Sequence, residues 1–130
     1  MVLLNEYNTS YRQVFIDGRT LPVDPVLTVN GYSVGTWEGD TLVVRTHGLR
    51  DGNWPDASGS PLTAAAKITE RYRRVSIGRL DIELTVDDSN AYTKPWSVTL
   101  HQELIPDTDL FDAVCAEDEL DRLHQEEAQP

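Results

Sequence analysis

The sequence predicts a mostly β domain: an antiparallel curved sheet or a small, lipocalin-like β-barrel, with a short C-terminal helix. The stretch KITERYRRVSIGRLDIELTV, residues 67–86, alternates apolar and polar residues on both sides of an Ile77-Gly78 turn. GYSVGTWEGDTLVVRTHGL repeats the pattern around Glu38-Gly39. The segments between these runs are rich in Gly, Pro, Asn and Asp, which interrupt regular structure. At 130 residues the chain is long enough for one core. The expected division is a single β-barrel-like domain over 1–116 and an acidic tail over 117–130.

From the N-terminus, VLLNEYNTSYRQVFIDGRTLP carries two apolar runs around Asn-Thr-Ser, a hairpin that leads into an Asp17-Gly18 turn. Tyr11, Gln13 and Phe15 share one face of its second strand. Pro22 and Pro25 make RTLPVDPVLTVN an irregular crossing segment. The second hairpin returns through Leu42, Val43 and Val44, with Trp37 and Asp40 beside its turn. RDGNWPDASGSPL is the longest loop. Residues 64–88 form the clearest hairpin, and DDSNAYTKP then leads into a last strand, WSVTLHQEL, ended by Pro106. Beyond it, Asp107 or Thr108 serves as N-cap for a helix with an apolar set at Leu110, Phe111, Val114 and Leu120.

Cross-strand charge selects one register for the clearest hairpin, because facing opposite charges each stabilise it by a few tenths of a kcal/mol. Arg73 falls opposite Asp81, Arg71 opposite Glu83 and Thr69 opposite Thr85. The other face then pairs Tyr72 with Ile82, Glu70 with Leu84 and Ile68 with Val86, so Glu70 points inward among apolar residues. A carboxylate there must be paired, protonated or open to a water-filled cavity. Gln102 lines up with Trp96, Val98 and Leu100, and Gln13 is a further inward polar group on the early strand.

Apolar walls with a few inward polar groups describe a small-ligand cavity. In that reading Glu70 is a general acid or base with Tyr72 beside it. The substrate-binding set is Tyr11, Gln13, Trp37, Tyr92, Trp96 and Gln102. The structural reading pairs Glu70 with an inward arginine, such as Arg12 or Arg45, and makes Trp96 plain core. Asp87 and Asp88 either satisfy turn amides or orient Tyr92 or Lys94.

Eleven Lys and Arg against 22 Asp and Glu give a formal charge of -11, which repels nucleic acid and anionic membrane surfaces. Six of the acids sit in CAEDELDRLHQEEAQP, so the charge speaks to solubility more than to function. The one cysteine, Cys115, lies between Asp112 and Glu117 and reads as apolar filler. His47, His101 and His124 lack metal-ligand spacing, the serines lie in no G-x-S-x-G elbow, and no glycine cluster resembles a phosphate loop. No metal and no cofactor are therefore expected. MVLLNEYNTS has neither a basic n-region nor a membrane-length apolar run, and a cytoplasmic location is expected.

The motifs YRQVFIDGR, GYSVGTWEGDTLVV, ITERYRR and DDSNAYTKPWSVTL resemble the C-terminal part of a large group of uncharacterised bacterial proteins, in the same order, over roughly residues 5–116. Members of that group are typically longer and often carry an export signal. This chain starts almost at the first strand, and reads DDSNAY where the group more usually has proline after the two acids. The resemblance implies kinship and, for a freestanding version, specialisation for one substrate in a biosynthetic pathway. It brings no activity with it.

The expected function is a cofactor-independent acid–base enzyme, a cyclase, dehydratase or isomerase, acting on a hydrophobic, polyketide-like small molecule in natural-product biosynthesis. The rivals are a non-catalytic binding or carrier domain and a structural, oligomerising β domain. An edge strand left by an unclosed sheet favours a homodimer.

Overall fold

Seven strands follow one another in the computed structural model, which describes residues 1–6, 10–53 and 58–111. They are β1 (Val2–Asn5), β2 (Ser10–Phe15), β3 (Tyr32–Glu38), β4 (Thr41–His47), β5 (Lys67–Ser76), β6 (Arg79–Asp87) and β7 (Trp96–Glu103), and their order in the sheet is their order in the chain. The fold is mostly β, as expected. Among the described residues there is no helix, and so none long and apolar enough to cross a membrane. Residues 107–111 are non-helical, and the remainder of the expected C-terminal helix, with Cys115 and His124, lies outside the described residues.

The chain divides into two compact units. The smaller comprises Val2–Arg12 and the segment from Asp107, and within it the Phe111 amide donates to Glu6 Oε1 at 3.1 Å. The larger comprises Met1 and Gln13–Pro106. There Met1 and Val14 exchange both backbone hydrogen bonds, each at 2.9 Å.

Within the larger unit β3 to β7 form one antiparallel run, but the end of β2 joins it in parallel, Val14 beside Ser33 and Phe15 beside Val34. The sheet is therefore mixed, which corrects the all-antiparallel expectation. The reason is the crossing segment. Its two prolines lack the donor a ladder needs, so the chain runs back irregularly and enters β3 in the direction of β2. Gly31 makes the entry (φ 64°): a Cβ there would sit 2.7 Å from the His47 carbonyl oxygen. A closed barrel would need a second neighbour for β7, whose only strand partner among the described residues is β6. The sheet is open there.

Strand β4 is central. Thr41, Leu42, Val43, Val44 and Thr46 are all buried, so both its faces are covered, and the uninterrupted run Leu42-Val43-Val44 is what such a strand requires. Gly39 (φ 64°) and Asp40 connect it to β3, a two-residue loop with glycine at the position that needs positive φ. The β5–β6 register is the one that cross-strand charge selects, pair for pair from Ile68↔Val86 to Arg73↔Asp81, and the hairpin turns at Ile77-Gly78. The ion pairs themselves differ. Arg71 Nη1 bonds Glu38 Oε2 at 3.1 Å, and Asp81 bonds Arg79 and His101. Long exposed side chains reach whichever carboxylate is nearest, at little cost either way.

The core gathers Leu49, Leu62, Ala66 and Val86, with Ile68, Leu84, Tyr92 and Trp96 packed against it. Three of these come from the 48–66 loop, which Asp88 ties to the sheet. Asp88 is 1% exposed, and its carboxylate accepts from the Thr63 amide (2.7 Å), the Thr63 hydroxyl (2.8 Å) and the Asn90 amide (3.1 Å). Burial pushes this carboxyl up, but the amides of Thr63, Asn90 and Ala91 and the Thr63 hydroxyl outweigh it, so the net shift is downward. Asp88 thus satisfies turn amides and orients neither Tyr92 nor Lys94 with its side chain.

Asp88→Asn removes a charged acceptor from two N–H groups and a hydroxyl, and urea unfolding at pH 7 should show a loss of roughly 2–4 kcal/mol. A carboxyl whose folded pKa lies below its unfolded value of about 3.9 stabilises the fold above that value and ceases to do so as pH falls through the folded one. The gap between the parent and Asp88→Asn should therefore narrow below about pH 4. A gap independent of pH from 7 to 2 would show that the charge at Asp88 carries none of the effect.

Candidate functional site

Glu70 owes its position to register. It pairs with Val44 on β4 and Leu84 on β6, and these pair onward to Gly35 on β3 and Val98 on β7. One row toward the β5–β6 turn lie Trp37, Leu42, Tyr72, Ile82 and Leu100; one row the other way lie Val14, Ser33, Thr46, Ile68, Val86 and Trp96. All share one face. Alternation along each strand places the carboxylate in the middle of this largely apolar array, 8% exposed.

Two polar pairs interrupt it. Tyr72, two residues on and on the same face, donates its hydroxyl to Glu70 Oε1 at 2.8 Å. Ser33 Oγ and Thr46 Oγ1 share a buried hydrogen bond at 2.7 Å, each satisfying the other without charge. The sequence offers no signal for the second pair, because Ser33 and Thr46 read as ordinary strand residues until β3 and β4 are in register. Gly35 is the second feature that sequence reading missed. A Cβ there would come within 3.0 Å of Ile16 Cγ2 and 3.1 Å of Val14 Cγ1, so the row beside Glu70 is tightly packed at this position.

The remaining candidates separate. Gln102 follows Leu100 on the Glu70 face and lines an open cleft of about 400 Å³ at the β5–β6 turn, with Arg74, Ile77, Leu80 and Leu104. Trp37 lies on the same face as Glu70 but is 62% exposed. Tyr92 and Trp96 belong to the core: their rings meet edge to face at 5.7 Å, and the Tyr92 hydroxyl donates to the Pro61 carbonyl at 2.9 Å. Tyr11, exposed on β2, belongs to the smaller unit. Gln13 is exposed, and because its neighbour Val14 shares the Glu70 face, Gln13 points to the opposite one. The expectation that Gln13 joins the inward polar groups is corrected by the parallel β2–β3 pairing.

The opposite face carries exposed charges beside the buried Val34 and Val43. Arg45 lies there 3.5 Å from Glu38, which takes it away from Glu70 as an ion-pair partner. His101 lies there too, with Nδ1 2.7 Å from Asp81 Oδ1 and 2.8 Å from Arg79 Nη2. The hydrogen bonds from His101 and Arg79 hold the Asp81 carboxyl below the usual carboxylate range. Among the described residues no group of three or more His, Cys, Asp or Glu is arranged to hold a metal ion. On the same side Arg19 closes the FIDGR motif on itself: Nε donates to Asp17 Oδ1 at 2.9 Å, and the guanidinium lies 3.9 Å over the Phe15 ring, which stacks on Tyr32.

Tyr72→Phe takes the hydroxyl donor from Glu70 without changing the packing of the ring. Denaturant unfolding should show a loss of about 1–3 kcal/mol, the usual worth of a hydrogen bond to a poorly hydrated carboxylate. A change below about 0.3 kcal/mol would mean that the bond does not hold Glu70 in place. Comparison with protein-family models, curated proteins and solved structures finds no match to the chain.

Proposed function

We propose that the Glu70 face takes up a hydrophobic small molecule and that Glu70 moves a proton on it, a cofactor-independent acid–base reaction of the cyclase, dehydratase or isomerase type. The observation that carries the reading is the 2.8 Å bond between the Tyr72 hydroxyl and Glu70 Oε1 within apolar surroundings. A carboxylate held by a neighbouring phenol keeps one orientation, and apolar walls align a substrate carbon against it. In this reading Glu70 takes the proton from carbon beside a carbonyl. It returns that proton to another carbon in an isomerisation, or to a departing hydroxyl in a dehydration. Tyr72 is a positioning residue, and Leu42, Val44, Ile82 and Leu84 form the floor.

The test follows α-proton exchange of an apolar ketone, 2-tetralone, in D₂O by NMR. The parent protein should exchange it above the buffer rate, and Glu70→Gln should lower the catalysed rate by ~10²–10⁴-fold. Exchange that Glu70→Gln leaves unchanged overturns the acid–base reading, as does the absence of catalysed exchange across a panel of such ketones. One observation favours a second reading, a non-catalytic binding domain: the cleft at the β5–β6 turn has apolar walls and is lined by Gln102 but not by Glu70. Saturable binding of 2-tetralone, unaffected by Glu70→Gln and with no exchange, supports that reading instead.

A further inference from the structure

We infer that the outer edge of β7 is an interaction surface for a second copy of this chain, pairing antiparallel with its own β7 across a two-fold axis. The edge is long, and among the described residues it carries no strand on its outer side. All of β7 after Trp96 is exposed, including Val98 (40%) and Leu100 (41%) on the Glu70 face. Free edges are normally blunted by lysine, proline, a bulge or shortness. WSVTLHQE has no lysine, arginine or proline, and its pairing with β6 runs without a register shift.

The direction of its backbone groups can be read. The Leu104 amide donates to the Gly78 carbonyl at 2.9 Å, inward toward the β5–β6 hairpin. Because backbone donors and acceptors alternate along a strand, Gln102, Leu100 and Val98 also bond inward, while Ser97, Thr99, His101 and Glu103 present their N–H and C=O groups at the edge. An incoming strand would be bonded by whichever of these it overlaps.

A second copy fits this edge because the edge complements itself. At a net charge of -11 the chain as a whole repels another copy. The β7 edge is an exception: its only ionisable side chains are His101 and Glu103. With Gln102 on the two-fold axis, each His101 lies opposite the other copy's Glu103, each Leu100 opposite the other copy's Leu104 on the Glu70 face, and each Thr99 opposite the other copy's Ile105 just past β7, while Ser97 lies outside the overlap. That register pairs the acid with the histidine and keeps the two glutamates apart, as cross-strand pairing favours. It also adds a wall to the open cleft lined by Gln102 and Leu104.

Sedimentation equilibrium of the full chain should give a dimer at tens of micromolar. Thr99→Pro removes an N–H that points outward and spares the β6 ladder, since proline is tolerated on the free side of an edge strand. It should leave the far-UV spectrum and Tm unchanged and shift the protein to monomer, weakening association at least ten-fold. Gln102→Cys in a Cys115→Ser background should form an intermolecular disulfide under mild oxidation, because directly opposed residues at an axis lie within disulfide reach. A chain that stays monomeric to millimolar concentration overturns the inference. So does a dimer that a folded Thr99→Pro variant leaves intact, and so does a dimer in which residue 102 forms no disulfide.

Discussion

Strand β4 is hydrogen-bonded along both edges and buried on both faces, and the positions of β3, β5, β6 and β7 are counted from it. A one-residue slip would exchange the surroundings of Leu42, Val44 and Thr46 for those of Val43 and the exposed Arg45. The charged surface around Glu38, Arg45 and Arg71 and the apolar array around Glu70 are two faces of the same register. Neither can be moved without moving the other.

Two carboxylates are buried within this frame, and the fold treats them differently. Asp88 is closed off by short-range donors from its own turn and from Thr63, which makes it a tie between the 48–66 loop and the sheet. Its charge is used to hold structure. Glu70 instead meets a phenol on its own strand, and its neighbours on β4 and β6 are aliphatic. The functional proposal rests on the Tyr72–Glu70 bond and on the place of Glu70 in the largely apolar array.

The open side of β7 links the remaining features. Where the sheet stops, apolar side chains on the Glu70 face and backbone groups along the edge are exposed together, and the cleft beside Gln102 opens at the same place. An aliphatic stripe and an edge with no outer strand among the described residues are features of a surface suited to being covered.

Much of the fold was legible because strand alternation and cross-strand charge act between neighbours joined by short turns. The Ile77-Gly78 turn, the register from Ile68↔Val86 to Arg73↔Asp81, the inward side chain of Glu70 and the alignment of Gln102 with Trp96 all follow from that local logic. What tertiary structure decided lies between residues far apart in the chain. Nothing in YRQVF or GYSVG states that Val14 will lie parallel to Ser33, yet that pairing turns Gln13 away from Glu70. Nothing in DDSNAY names Thr63 as the group that Asp88 holds. Arg71 finds Glu38 across β4 instead of the facing Glu83, because the sheet brings a third strand within reach of a long side chain. The sequence by itself determined which face each strand residue takes relative to its hairpin partner, since side chains alternate with period two. Only the folded sheet decided which distant strands and loops those faces meet, since that depends on contacts with no counterpart in local pattern.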